Sequence, residues 1–270
     1  MEVRLAALFV LVALATHPTG ARAQVGWVSP AAGPTLTGDP EVIFTFDDGP
    51  DPARTPAILD TLAHYHIKAI FFMVGRMVAA PEAKPIMERI LREGHIIANH
   101  TMDHGDLCRI KEDAGAAAEI DLGRQAIENA SGWHPAWFRA PYGARCPRLE
   151  GMLADRGITH FHWDLDPKEW QHGSAKRTLD YLIKQLGHMQ GRNVLLMHDI
   201  KLATVVALPQ ALEWLLAENE RRKALRIRRI RIVQGYEIAM ERVQPGLLDW
   251  LASVTPGRET LARAIASVLP

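Results

Sequence analysis

The sequence carries no excess of charge of either sign: lysine plus arginine and aspartate plus glutamate number 31 each. That balance argues against nucleic acid as a partner and equally against an acidic one. Cysteine is nearly missing, at two residues, Cys108 and Cys146. In a reducing compartment such a pair is incidental, whereas in an oxidising one an even count makes a disulfide a candidate. Beyond residue 23 no segment has the length and apolarity of a membrane span. Internal repeats, low-complexity tracts and linkers that would divide the chain are also missing. What remains is 270 residues, 48% apolar and 23% charged, a composition that can bury one sizeable core and fits a single α/β barrel.

The first 23 residues differ from the rest. Arg4 gives a weakly basic start, Leu5 to Ala15 is an unbroken apolar run, and Thr16 to Gly20 is polar and turn-rich. Ala21-Arg22-Ala23 then supplies a small-x-small cleavage site before Gln24. The expectation is a signal peptide over 1–23 and export to the periplasm or beyond, with no stable membrane span once it is removed. Residues 24–40, rich in Gly, Pro and Thr, read as an extended lead-in.

From residue 41 the pattern alternates. Short apolar runs that read as buried parallel strands occur at Val42–Phe46, Ala69–Val74, His95–Asn99, Ala136–Arg139, Thr159–Trp163, Asn193–Met197 and Arg228–Val233. Helical spacing occupies Pro56–His64, Lys84–Glu93, Glu112–Ala130, Arg148–Arg156, Ala175–Met189 and Leu208–Arg222. Two more helices are expected at Leu247–Leu251 and Glu259–Leu269, giving a helical tail over 241–270. Strands alternating with helices predict a parallel α/β fold, with a doubly wound open sheet as the alternative to a barrel. The stretch Arg221–Arg231 holds seven basic residues. It reads as a helix end followed by a strand with Arg226, Arg228 and Arg231 on a solvated face, rather than as a patch for an anionic polymer or membrane.

Four of the expected strands end in unusual polar residues. The first runs Thr45-Phe46 into Asp47-Asp48-Gly49-Pro50, and the third into His100-Thr101-Met102-Asp103-His104. The fourth ends Arg139-Ala140-Pro141-Tyr142, and the sixth Leu196-Met197-His198-Asp199. Parallel α/β folds gather the carboxyl ends of their strands on one face, so these residues are expected in one pocket. Each piece is weak alone. Twelve histidines would give about half a His-x-x-x-His pair by chance, and Asp-Gly-Pro is also a turn signal. Yet i,i+4 imidazoles can share a metal, and adjacent carboxylates after a buried strand repel unless a cation or an arginine offsets them. Asp48, His100 and His104 would make a two-histidine, one-carboxylate site with positions open to water, and Arg139 is the natural partner of Asp47. His198, after a buried run, is as readily a core histidine as a functional one.

These four motifs, in this order and spacing, resemble those of the polysaccharide deacetylase family, the NodB-homology domain, from about residue 41 to 236. The resemblance implies a single-domain deformed (β/α) barrel of about seven parallel strands, with the catalytic domain over 41–240. It implies a metal-dependent hydrolase that removes N-acetyl groups from an N-acetylglucosamine-containing polysaccharide or oligosaccharide. Asp48, His100 and His104 match the ligands of one divalent ion, usually Zn2+ and sometimes Co2+ or another. Asp47 matches the general base, Arg139 the residue that orients it, Tyr142 the backbone donor to the oxyanion, and His198 the general acid. Leu196 and Trp170 match the walls around the acetyl methyl. One departure concerns the family's Asp-x-x-Asp-Trp: Asp166-Pro167-Lys168-Glu169-Trp170 has Glu169, grouped with the substrate-site residues, for the second aspartate. In the family that acid helps hold the motif's arginine and the catalytic histidine, and the extra methylene puts its positioning in question.

The same machinery would serve an O-acetyl esterase of the xylan type or a cyclic amide or imide hydrolase. A non-enzymatic alternative is an inactive carbohydrate-binding protein, which would most simply have lost Asp47 or His198. Trp133, Trp137 and Trp163 are candidates either for stacking on sugar rings or for the core. Cys108 follows His104 by four residues and Cys146 follows Arg139 by seven. Both therefore leave neighbouring strand ends on one face, where a Cys108–Cys146 bridge can form. Nothing in the sequence indicates an oligomeric state.

Overall fold

The computed structural model describes residues 38–240, so the expected signal peptide, nearly all of the lead-in and the C-terminal tail lie outside the described residues. Within them are seven strands: β1 (Glu41–Asp47), β2 (Ile70–Met73), β3 (Ile96–Asn99), β4 (Trp137–Phe138), β5 (Thr159–His160), β6 (Arg192–His198) and β7 (Arg231–Ile232). All pair in parallel, in the order β5-β4-β3-β2-β1-β6, with β7 on the start of β1. The chain beyond β5 reaches β6 through a bridge between Leu165 and Leu195, which brings the two ends of the sheet together. The helices are α1 (Thr55–His64), α2 (Gly75–Val78), α3 (Ala83–Arg92), α4 (Asp113–Ser131), α5 (Pro147–Asp155), α6 (Glu169–His172), α7 (Ala175–His188), α8 (Leu202–Ala224) and α9 (Gly235–Met240). The expected deformed (β/α) barrel is the observed architecture.

Local chemistry explains the elements. β1, Glu-Val-Ile-Phe-Thr-Phe-Asp, is buried along its whole length, as a strand covered on both faces must be. α1 and α5 begin with proline in the first turn, where the missing N–H costs nothing. α4 ends on Gly132 at φ 68°, the left-handed position glycine fills without strain.

The period of two sorts side chains between two cores. Val42, Phe44 and Phe46 of β1 pack outward with Phe71, Ile97, Leu195 and Met197 against α1, α3, α7 and α8. Ile43 packs inward with Ile70, Phe72, Ala98, Phe161 and Val194, and the inner core is extended by Val233 and Ile238 near the C-terminal end of the described chain. The inward parity of Ile43 continues through Thr45 to Asp47, and that of Val194 through Leu196 to His198. The register Asp47↔His198 sets the two strand ends level.

The base of the barrel carries a buried ion network. Arg192 Nε lies 2.6 Å from Glu41, which is fully buried, and Arg231 bridges Glu41 at 2.8 Å and Glu237 at 2.6 Å. This absorbs part of the basic stretch 221–231. Arg221 and Arg222 pair with Glu218, and Arg228 donates to the Gly38 carbonyl. The expected strand is reduced to the two residues of β7, and Leu225 and Ile227 before it are exposed. α8 starts six residues before its expected start and carries Pro209 inside it. Burial of Ala203, Thr204 and Ala207 holds the preceding turns in place despite the missing N–H.

Cys108 and Cys146 form a disulfide with Cα atoms 6.0 Å apart, joining the loops after β3 and β4. No helix among the described residues is long and apolar enough to cross a membrane.

Two stability measurements test this account. Glu41→Gln removes the counter-charge that two arginines share in a dry environment and is expected to cost about 3 kcal/mol in urea unfolding. Cys108→Ser with Cys146→Ser is expected to cost roughly 2–4 kcal/mol by releasing the cross-link on the unfolded chain. Two thiols titrating in the unreduced, unfolded protein would contradict the bridge.

Candidate active site

The polar strand ends meet at the carboxyl end of the barrel. Asp47 is buried, and its Oδ1 accepts a hydrogen bond from Arg139 Nη1 at 2.6 Å. The same nitrogen donates to Thr45 Oγ1 at 2.9 Å, while Nε and Nη2 donate to the carbonyls of Phe161 and His162. The guanidinium lies 4.0 Å over the Phe72 ring with no solvent exposure. Burial pushes its pKa down from the ordinary value while Asp47 draws it back up. Thr45 was visible in the sequence as part of its motif, but its bond to Arg139 was not.

Asp48 follows Asp47 and should point to the opposite side of the strand. It does not, because its φ of 79° turns the chain out of the β region. Its Oδ1 comes within 3.1 Å of His104 Nε2 and 3.5 Å of His100 Nε2. Burial opposes ionisation of Asp48, yet the close approach of His100 and His104 and the charge of His198 hold its pKa well below the usual carboxylate range. Left-handed backbone outside glycine recurs around the site at Thr101, His104, Tyr142 and Lys168. Such strain gathers where a surrounding structure over-determines it.

His100 and His104 converge by a different route from the one expected. They do not share a helix face; the chain from His100 to His104 is an irregular loop. Asn99 Oδ1 accepts from the Thr101 N–H and Thr101 Oγ1 from the His104 N–H, folding the loop until the two rings stand 5.0 Å apart. His100 Nδ1 donates to the Arg139 carbonyl at 2.7 Å, which leaves Nε2 free to face Asp48. One ligand atom from each of Asp48, His100 and His104 lies within 4.8 Å of the others. Asp48 Oδ1 is buried without a hydrogen-bond partner. Two imidazole nitrogens and an ionised carboxylate oxygen converging in this way fit a divalent cation.

His198 closes the opposite side. Glu169 Oε1 accepts from His198 Nδ1 and from the His198 N–H, each at 2.8 Å, and from Thr204 Oγ1 at 3.3 Å. Burial lowers the affinity of His198 for a proton, but the bond to Glu169 and the charges of Glu169, Asp47 and Asp48 outweigh it and raise the pKa. Glu169, grouped with the substrate-site residues for its place in the motif, is buried behind the histidine and its carboxylate holds His198, the role the resemblance gives the acid at this position. The methylene that distinguishes it from aspartate is accommodated. Leu196 lies buried two residues before His198 on the same inward parity, whereas Trp170 and Tyr142 stand exposed. Trp137 belongs to the inner core; Trp163 packs beside His162 and the Arg139 guanidinium.

Asp199 was not anticipated, although it adjoins His198. It is fully buried, accepts from Thr55 Oγ1 at 2.5 Å, and burial pushes its pKa up to about 7. A Cβ at Gly49 would meet its Oδ2 at 2.1 Å, so glycine in Asp-Asp-Gly-Pro is required by this packing.

Residues 36–161 match the polysaccharide deacetylase family. The chain is 34% identical over 166 residues to a chitooligosaccharide deacetylase of Sinorhizobium fredii, covering 60% of this chain and 74% of that one. Among solved structures it is similar to a T48 deacetylase with substrate, at a TM-score of 0.64 and 28% identity, covering 76% of this chain and 93% of that one. It is likewise similar to the peptidoglycan deacetylase PdaC from Bacillus subtilis, at 0.64 and 26%, covering 84% and 100%. An α/β barrel with three converging donors at its carboxyl end that fit a cation is thus joined to matching sequence. The chain belongs to the polysaccharide deacetylase family.

Glu169→Gln tests the electrostatics. It keeps shape but removes the charge that raises the His198 pKa, so the imidazole should titrate at lower pH than in the wild type when followed by NMR.

Proposed function

We propose that the protein is a metal-dependent deacetylase that removes N-acetyl groups from N-acetylglucosamine-containing polymers or oligomers. The observation that carries this reading is the convergence, on one barrel mouth, of a cation-binding triad with two separately supported proton carriers. Sequence relatives named for chitooligosaccharides and structural relatives named for peptidoglycan support an amino-sugar substrate.

Asp48, His100 and His104 would hold the ion, Zn2+ or Co2+ by donor type. When bound, it would polarise the amide carbonyl and lower the pKa of water toward ~7. Asp47, oriented by Arg139, accepts the proton of the attacking water. The backbone N–H of Tyr142 faces the developing oxyanion. His198 gives its proton to the departing amine, which is a poor leaving group without one. Leu196 and Trp170 bound the space for the acetyl methyl. Because Glu169 raises the His198 pKa, the protonated acid persists to higher pH than an ordinary histidine, and the alkaline fall in rate is displaced upward.

The disulfide between the two site loops suits an oxidising compartment, which supports export of the protein. The catalytic unit is assigned to 41–240, after a leader over 1–23.

Acetate release from acetylated chitooligosaccharides, peptidoglycan and xylan, with and without Zn2+, tests the function and separates N- from O-deacetylation. Chelation should abolish activity and Zn2+ or Co2+ restore it. Asp47→Asn should lose about 10²–10⁴-fold in rate while still binding metal. His198→Ala should harm amide cleavage more than cleavage of an activated ester. Full activity in a metal-free sample would overturn the reading.

A further inference from the structure

Both imidazoles of the triad present Nε2 toward Asp48, and both must place their other ring nitrogen somewhere. For Nε2 to offer a lone pair to a cation, the proton must sit on Nδ1, where it needs an acceptor. His100 finds one in the Arg139 carbonyl, in a buried bond of 2.7 Å. His104 finds one in a side chain: its Nδ1 lies 3.2 Å from Tyr142 Oη, and the rings pack edge to face with centroids 4.8 Å apart. Both acceptors come from the four residues 139–142.

We infer that the phenol of Tyr142 is a positioning group for His104, fixing its tautomer and ring orientation for cation binding. This role is separate from that of the Tyr142 backbone. The inference rests on the reading that Asp48, His100 and His104 hold a divalent cation.

The two supports differ in kind. A carbonyl of a buried strand end cannot leave, but Tyr142 is 73% exposed and its side chain could swing away. Three features keep it beside His104. Its φ of 60° within the short turn Pro141–Gly143 aims the side chain back toward the loop after β3. The Cys108–Cys146 disulfide ties that loop to the turn's own segment, each cysteine lying four residues beyond His104 or Tyr142. Arg148 Nη2 then donates to the carbonyls of Leu107 and Ile110, both at 2.5 Å, closing the same seam. The loops are thus held in register at the point where the phenol must reach the imidazole.

Tyr142→Phe keeps the ring, the left-handed turn and the backbone N–H, and removes only the hydroxyl. Metal-free wild type, Tyr142→Phe and His104→Ala are titrated with Zn2+ and with Co2+, following bound metal and the visible spectrum of Co2+. The phenylalanine variant is expected to bind about ten-fold more weakly and release metal faster, at the low end for an outer-shell partner because water can reach an exposed site. His104→Ala marks the floor. Wild-type affinity and release rate in Tyr142→Phe would overturn the inference and leave the cation site standing. Failure of the wild type to bind either ion would overturn the reading on which it rests.

Discussion

Two adjacent carboxylates at the end of one buried strand are the constraint around which this barrel mouth is built. Asp47 and Asp48 share a poorly solvated space, and each needs its own compensation if both are to be ionised. The protein separates them by a single backbone distortion. Asp47 keeps the strand's inward parity and meets Arg139, while Asp48 turns through φ 79° toward His100 and His104. One carboxylate is thereby paired with a buried guanidinium and the other set against two imidazoles.

That division places demands on everything nearby. Arg139 can be buried without solvent only because each of its nitrogens finds an acceptor and an aromatic ring lies beneath it. Its backbone carbonyl serves His100 as well, so one residue braces both halves of the site. Asp199 fills the space behind the turn as a carboxyl whose pKa is raised by burial, and its contact with Gly49 permits no side chain there. On the far side, Glu169 raises the His198 pKa from a buried position.

Much of this was legible in the order of residues, and the failures have physical causes. Seven strands were recognised because parallel strands buried on both faces are written as continuous apolar runs. β4, β5 and β7 are two-residue pairings, shorter than their runs, because composition does not encode where pairing ends. α8 extends past its expected start through Pro209, whose local preference yielded to burial of one helix face. Alternation failed in 225–231 because the arginines there answer to distant partners, Gly38, Glu41 and Glu237.

By itself the sequence determined the fold class, the residues that crowd the barrel mouth and the pairing of Arg139 with Asp47. These follow from periodicity, from the rule that parallel strands gather their carboxyl ends, and from the cost of uncompensated charge. It also identified the two cysteines that could meet. Only the tertiary structure decided how His100 and His104 converge, since a left-handed loop and not a helix brings them together. It alone decided how the longer Glu169 is accommodated against His198 and that the Tyr142 phenol faces His104. Those outcomes depend on backbone angles and on side chains far apart in the chain, and no local pattern of residues records a distance between them.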